Sequence, residues 1–213
     1  MNKIIIWIFC LVVILNSCGT NKPNVVINGD KETTEMANKM LNAVNYNAWQ
    51  ELKFIKWTWK NVHHYVWDRV NNNVDVQWDK YQVVFNSKTE TGKVFNEGKE
   101  INDDKTLRKA IDYFNNDSFW LLAFTKIKDE GTKMKSAKLK DATKGLYITY
   151  SSGGTTPGDS YFWILDENGL PKEWRMWVSV IPIGGFKTTW ANWTKLHNGA
   201  MVAQEHKNGL LSI

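Results

Sequence analysis

Few side chains in this sequence stand at spacings that do chemistry. His63 and His64 are adjacent in a strand-like run, so they project to opposite faces and cannot easily share one metal ion. His197 and His206 have no cysteine or acid near them at ligand spacing, and no metal is expected. Asp68 and Arg69 are neighbours in Trp67-Asp68-Arg69 and should face opposite ways, each pairing across to another strand. Asp103, Asp104, Asp117 and Asp159 fall in segments that read as turns or caps, where Asp serves the backbone. The stretch SSGGTTPGD from Ser151 to Asp159 is rich in glycine, but a phosphate cradle needs a helix and a Lys after it. An aromatic strand from Tyr161 to Leu165 follows instead, so the stretch reads as a hairpin connection at a sheet rim. Ser151 and Ser152 lack the strand-to-helix elbow of a nucleophilic serine. The expectation is no catalytic residue, no cofactor and no enzyme. The lesser alternative is an envelope hydrolase that gathers Asp68, His63 or Arg175 in a cavity.

Tryptophan is what this chain has in abundance, with 12 residues. Trp57 and Trp59 are two apart on a strand and share a face, whereas Trp174 and Trp177 are three apart and face opposite ways. Aromatic residues favour strands and pack across them, so sheet core explains many of these. The functional reading is an apolar cavity for a lipid or an acylated protein, lined by Trp57, Trp59, Trp67, Trp120, Trp163 and Trp177. A stacking platform for sugars is the alternative. A platform leaves its Trp rings at the surface, and a lipid cavity encloses them.

The N-terminus sets the compartment. Lys3 precedes an unbroken apolar run from Ile4 to Leu15, too short to span a bilayer and typical of an export signal. Leu15-Asn16-Ser17-Cys18-Gly19 resembles a lipobox, in which the Cys thiol is acylated before cleavage. Residues 1–17 are thus expected to be a lipoprotein signal, 18–30 a lipidated flexible tether, and 31–213 a single domain. The sequence holds 2 cysteines, Cys10 and Cys18, so a chain matured at Cys18 keeps no thiol for a disulfide. Several acyl chains anchor stably where one holds only marginally, so the membrane is the first expected partner. Gly19 is not acidic, which favours the outer membrane, facing the periplasm. The formal net charge of +5 is spread along the chain, and no nucleic acid partner is expected. The oligomeric state is left open.

The elements that must carry these residues follow from period. Met36, Met40, Leu41, Val44 and Ala48 form a one-sided stripe, predicting a helix over Thr33–Leu52 with a break at Asn45–Asn47. From Lys53 the period becomes two, and short strands that include Gly92–Phe95, with turns at Asn71–Asn73 and Gly98, predict an antiparallel meander. Thr106–Phe114 reads as a second helix, ended by Asn115-Asn116-Asp117. Ser118–Phe124 is too short for its period to decide between helix and strand. Strands resume at Leu146 and continue toward the C-terminus. The fold class expected is mainly β with helices (α+β): a strongly curved antiparallel sheet or unclosed β-barrel, with an N-terminal helix and a helical lid.

Tyr161-Phe162-Trp163-Ile164-Leu165-Asp166-Glu167-Asn168-Gly169-Leu170-Pro171, followed by a strand with Trp174 and Met176, resembles the LolA/LolB-like lipoprotein carrier superfamily. The helix ending near Trp49 and the aromatic strand pair through Trp67-Asp68-Arg69 are similar as well. Segments such as NDSFWLLAF and GGTTPGDSYFW also resemble a group of envelope lipoproteins without assigned activity. The carrier resemblance implies an unclosed barrel, a helical lid, a cavity for acyl chains and no catalytic residues. No residue here matches the carriers' functional arginine or the acceptor's exposed apolar loop.

Overall fold

In the computed structural model, residues 22–152, 158–181, 183–208 and 211–212 are described; the export segment and Cys18 lie outside them, as does 153–157. Strand β1 (Val25–Ile27) leads into helix α1 (Asp30–Ala43) and helix α2 (Tyr46–Glu51). The break between the helices falls at Asn45, whose left-handed backbone (φ 54°) lets its side chain accept the Ala48 N–H. An Asn in that triplet was the expected breaking point.

Six strands then run as an uninterrupted meander: β2 (Phe54–Trp59), β3 (His63–Asp68), β4 (Asn73–Trp78), β5 (Tyr81–Asn86), β6 (Gly92–Asn96) and β7 (Lys99–Ile101). They pair in sequence order as one antiparallel sheet, the N-terminal sheet. Alternation is clean: Tyr65, Val74, Val76, Val83, Phe85 and Val94 face inward and are buried, while their strand neighbours face solvent.

Helix α3 (Asp104–Leu122) follows, capped by Asp103, which accepts the Thr106 N–H and hydroxyl at 3.0 and 2.7 Å. It passes directly into a 3-10 stretch, Ala123–Lys128. Asn115-Asn116-Asp117 therefore does not end the helix as expected, and most of Ser118–Phe124 is its last turns. Tertiary contacts override local propensity here, because Asp117 is held by two side chains of β3.

The second sheet takes β8 (Thr132–Leu139), β9 (Lys144–Tyr150), β10 (Ser160–Leu165), β11 (Pro171–Trp177) and β12 (Phe186–Thr189), with β1 added on the edge of β8. This is the C-terminal sheet. A hairpin of β13 (Ala191–Lys195) and β14 (Met201–Glu205) and a short pair, Lys207–Asn208 with Leu211–Ser212, close the chain.

The protein is thus α+β with two six-stranded antiparallel sheets, none closed or strongly curled. This corrects the expectation of one strongly curved sheet or unclosed barrel. The strands either side of α3 do not join; each set buries its own apolar face. The N-terminal sheet packs on Ala110, Ile111 and Phe114 of α3, and the C-terminal sheet packs on α1, α2 and the following turns through Phe124 and Ile127. One helix thereby serves two cores, and half-buried Trp57 and Trp67 touch both.

Candidate ligand cleft

Where α3 crosses from one sheet to the other it leaves a cleft of about 530 Å³. Its floor comes from the C-terminal half of α3 and the C-terminal sheet. Trp120 meets Trp174 edge to face at 4.8 Å, and Phe119 lies nearly parallel to Trp174 at 5.8 Å. Tyr150, Tyr161 and Met176 extend that floor. A side wall is made by Phe114 and Trp67, whose rings meet edge to face at 5.1 Å. The rim is polar. Asn72, Ser87 and Lys88 come from turns of the N-terminal sheet, Asn115, Asn116 and Ser118 from α3, and Lys126, Asp129, Glu130, Ser152 and Asp159 from the loops opposite. Val180, 74% exposed, and Ile181 form an apolar lip.

The electrostatics follow from burial. The Tyr150 hydroxyl has no hydrogen-bond partner among the described residues. Burial, and secondarily the charge of Asp129, push its pKa up, so it stays a protonated donor. Tyr161 is pushed up by burial, then by Asp159 and Tyr150. Asp159 is buried and accepts the Ser179 N–H at 2.9 Å. Lys126 pairs with Asp129 at 3.6 Å. The charged lining is then Lys88 and Lys126 against Asp129, Glu130 and Asp159, a balance that gives no surplus of positive charge to hold an anion.

The six expected Trp do not converge. Trp67 and Trp120 line the cleft. Trp57 and Trp59 share an inward face as their spacing implied; Trp57 stacks on Tyr65 at 4.4 Å, and Trp59 approaches Trp120 at 6.1 Å without lining the cleft. Trp163 has no exposed surface and sits in the core against Trp174 and Trp190. Trp177 lies on the opposite face of the C-terminal sheet with Phe162 and Ile164. Trp174, which the sequence reading placed only by face, is in the floor. Cys18 lies outside the described residues.

Other expectations change. Asp68 pairs with no neighbouring strand: it accepts the N–H groups of Val70 and Asn71 and the Asn71 amide at 2.9, 3.1 and 2.7 Å, closing the β3–β4 turn. Arg69 donates to the carbonyls of Trp49 and Leu52 and lies over the Trp67 ring. Arg175 is bound by Asp141 and Glu173 at 2.9 and 3.0 Å on the outer face, away from the cleft. Asp117 is neither turn nor cap. Buried at 2% exposure, its Oδ2 accepts from Tyr65 Oη and His63 Nδ1, each at 2.7 Å, and its Oδ1 accepts from the Asn116 amide at 2.9 Å. No sequence signal announced that cluster, since His63 and Asp117 stand 54 residues apart. Among the described residues no group of three or more His, Cys, Asp or Glu is placed to hold a metal ion.

The sequence matches no protein-family model, no curated protein and no solved structure, so the cleft's chemistry is argued from its own residues.

Proposed function

We propose that this chain is a membrane-tethered binding protein whose cleft holds a neutral amphipathic molecule. One observation carries the reading: a cleft floored by aromatic side chains, under a rim whose charges among the described residues give no positive excess. The volume suits a ligand of small-molecule size, in the usual range of roughly 300–1,000 Å³. An acyl chain or flat ring lies on Trp120 and Phe119, with Tyr150 and Tyr161 beside it. A free carboxylate or phosphate would instead meet Asp129, Glu130 and Asp159. Acylation at Cys18 and an outer-membrane position facing the periplasm complete the proposal. The carrier resemblance extends it to the acylated N-terminus of another lipoprotein, whose ester-linked chains share this chemistry.

The test is titration of monoolein and of oleate, followed by Trp fluorescence. Monoolein is expected to bind more tightly than oleate, and Trp120→Ala to weaken monoolein by at least tenfold, worth at least about 1.4 kcal/mol. Tighter oleate binding, or no response to either, would count against the reading. A glycan remains the second reading, because half-exposed Trp67 and Trp120 stand beside the side chains of Asn115, Asn116, Ser87 and Ser118, which match sugar hydroxyls. Quenching by a soluble neutral oligosaccharide, with none by monoolein, would select it.

A further inference from the structure

The chain enters the domain at the end of the C-terminal sheet far from the cleft mouth. Val25 opens β1 and pairs with Leu139 at the end of β8, so the chain enters the domain beside the β8–β9 turn. That turn carries exposed Lys138, Lys140 and Lys144, and Lys22 on the incoming segment is exposed beside them. Its acid, Asp141, is already paired by Arg175 at 2.9 Å. The neighbouring β10–β11 turn adds Lys172 against Asp166 and Glu167, and the Asp166 carboxylate is taken up by the N–H groups of Asn168 and Leu170. Lys22, Lys138, Lys140, Lys144, Lys172 and Arg175 thus stand against Asp141, Asp166, Glu167 and Glu173, and this end of the C-terminal sheet carries a small positive excess.

The cleft mouth lies at the other end of the same strands. Tyr150, Ser152, Asp159 and Val180 belong to the connections opposite the β8–β9 turn, with Thr132 paired to Tyr150 there and Lys138 to Lys144 at the tether end. Strand β8 has 8 residues, so the two ends are about 23 Å apart at 3.3 Å per step. From Cys18 to Val25 the chain reaches at most about 25 Å.

We infer that the domain stands on an anionic bilayer surface through the basic β8–β9 end, with its cleft opening away from the membrane that anchors it. The occupant of the basic end is the phosphate headgroup layer. Each Lys near such a surface adds attraction that fades within a Debye length of about 8–10 Å, so upright contact is favoured over lying flat. The ligand is then received from the side opposite the anchoring leaflet. The inference rests on acylation at Cys18 and on the cleft as the ligand site.

The experiment uses the full acylated chain in vesicles of phosphatidylethanolamine and phosphatidylglycerol. A matured chain has no cysteine besides Cys18, so Lys140→Cys and Ser152→Cys, made separately, each accept one bimane label. Nitroxide-headgroup lipids are expected to quench the label at 140 several-fold more than the label at 152. Lys138→Glu with Lys144→Glu, or vesicles of phosphatidylcholine alone, should shrink that difference. Equal quenching, stronger quenching at 152, or indifference to these charges overturns the orientation. Intact mass is read on the same samples; absence of acyl groups on Cys18 removes the tether and overturns it too. Failure of the ligand reading shows separately, in the monoolein titration.

Discussion

His206 is closed in by the rings of Trp190 at 4.5 Å and Trp120 at 5.4 Å, with Nδ1 against the Thr189 carbonyl at 3.1 Å. Burial outweighs its contacts with the Thr189 and Trp120 backbone and lowers its pKa from 6.5 to about 4. The folded protein then refuses a proton that the unfolded chain takes up. Stability from this residue is complete above pH 6.5 and is lost as pH falls toward 4, by about 3 kcal/mol. Thermal melts of wild type and His206→Gln should therefore converge as pH drops from 7 to 4; parallel curves would show that His206 carries no proton linkage. Asp117 makes a different prediction. Tyr65→Phe removes one of the donors to a buried carboxylate, so urea midpoints should fall by about 1–3 kcal/mol at neutral pH. Neither environment was legible in the sequence. His206 is ringed by aromatics from α3 and the stretch before β13, and Asp117 by β3, so the partners are long-range and no local spacing encodes them.

At the scale of elements, period was a sound guide wherever an element buries one face of its own. The α1–α2 break at Asn45, the order of the N-terminal meander and the opposite facing of Trp174 and Trp177 all follow from it. It misled where an element answers to two neighbours. Helix α3 keeps its polar triplet because Asp117 turns inward to β3 while Asn115 and Asn116 face the cleft. Helix α3 runs between the two sheets and packs on both, its first half on the N-terminal sheet and its end in the C-terminal core. The C-terminal sheet shows how tightly such faces are filled. A Cβ at Gly145 would lie 2.3 Å from the Phe162 ring and 2.4 Å from the Trp163 carbonyl oxygen. Gly145→Ala should then cost about 1–3 kcal/mol by overpacking, read as a lowered denaturation midpoint; an unchanged midpoint would mean that β9 and β10 yield more easily than their packing implies.

For the whole molecule, two cores meet at one helix, and the proposed ligand cleft lies where they meet. The sequence reading took six Trp as a ligand lining, and only Trp67 and Trp120 of them reach the cleft, since six separate strands and α3 supply Trp and only the crossing of the sheets sorts lining from core. That sorting puts Trp67 and Trp120 at the cleft, Trp174 buried directly beneath its floor and Trp163 deeper inside the fold. Trp120→Ala is accordingly expected to weaken monoolein by at least tenfold while the chain stays folded, whereas Trp163→Ala should cost about 3–5 kcal/mol of stability. Circular-dichroism melts run beside the binding titrations separate the two effects. The central claim, that a neutral amphiphile lies on the cleft floor, is tested most directly by photo-crosslinking. A monoacylglycerol with a diazirine in its chain is irradiated with the protein, and the attached peptides are mapped. The account predicts adducts on the α3 segment around Phe119 and Trp120 and on the β9 and β11 residues Tyr150 and Met176, competed away by unlabelled monoolein. Adducts confined to the outer face around Phe162 and Trp177, or labelling that monoolein does not compete, would contradict it.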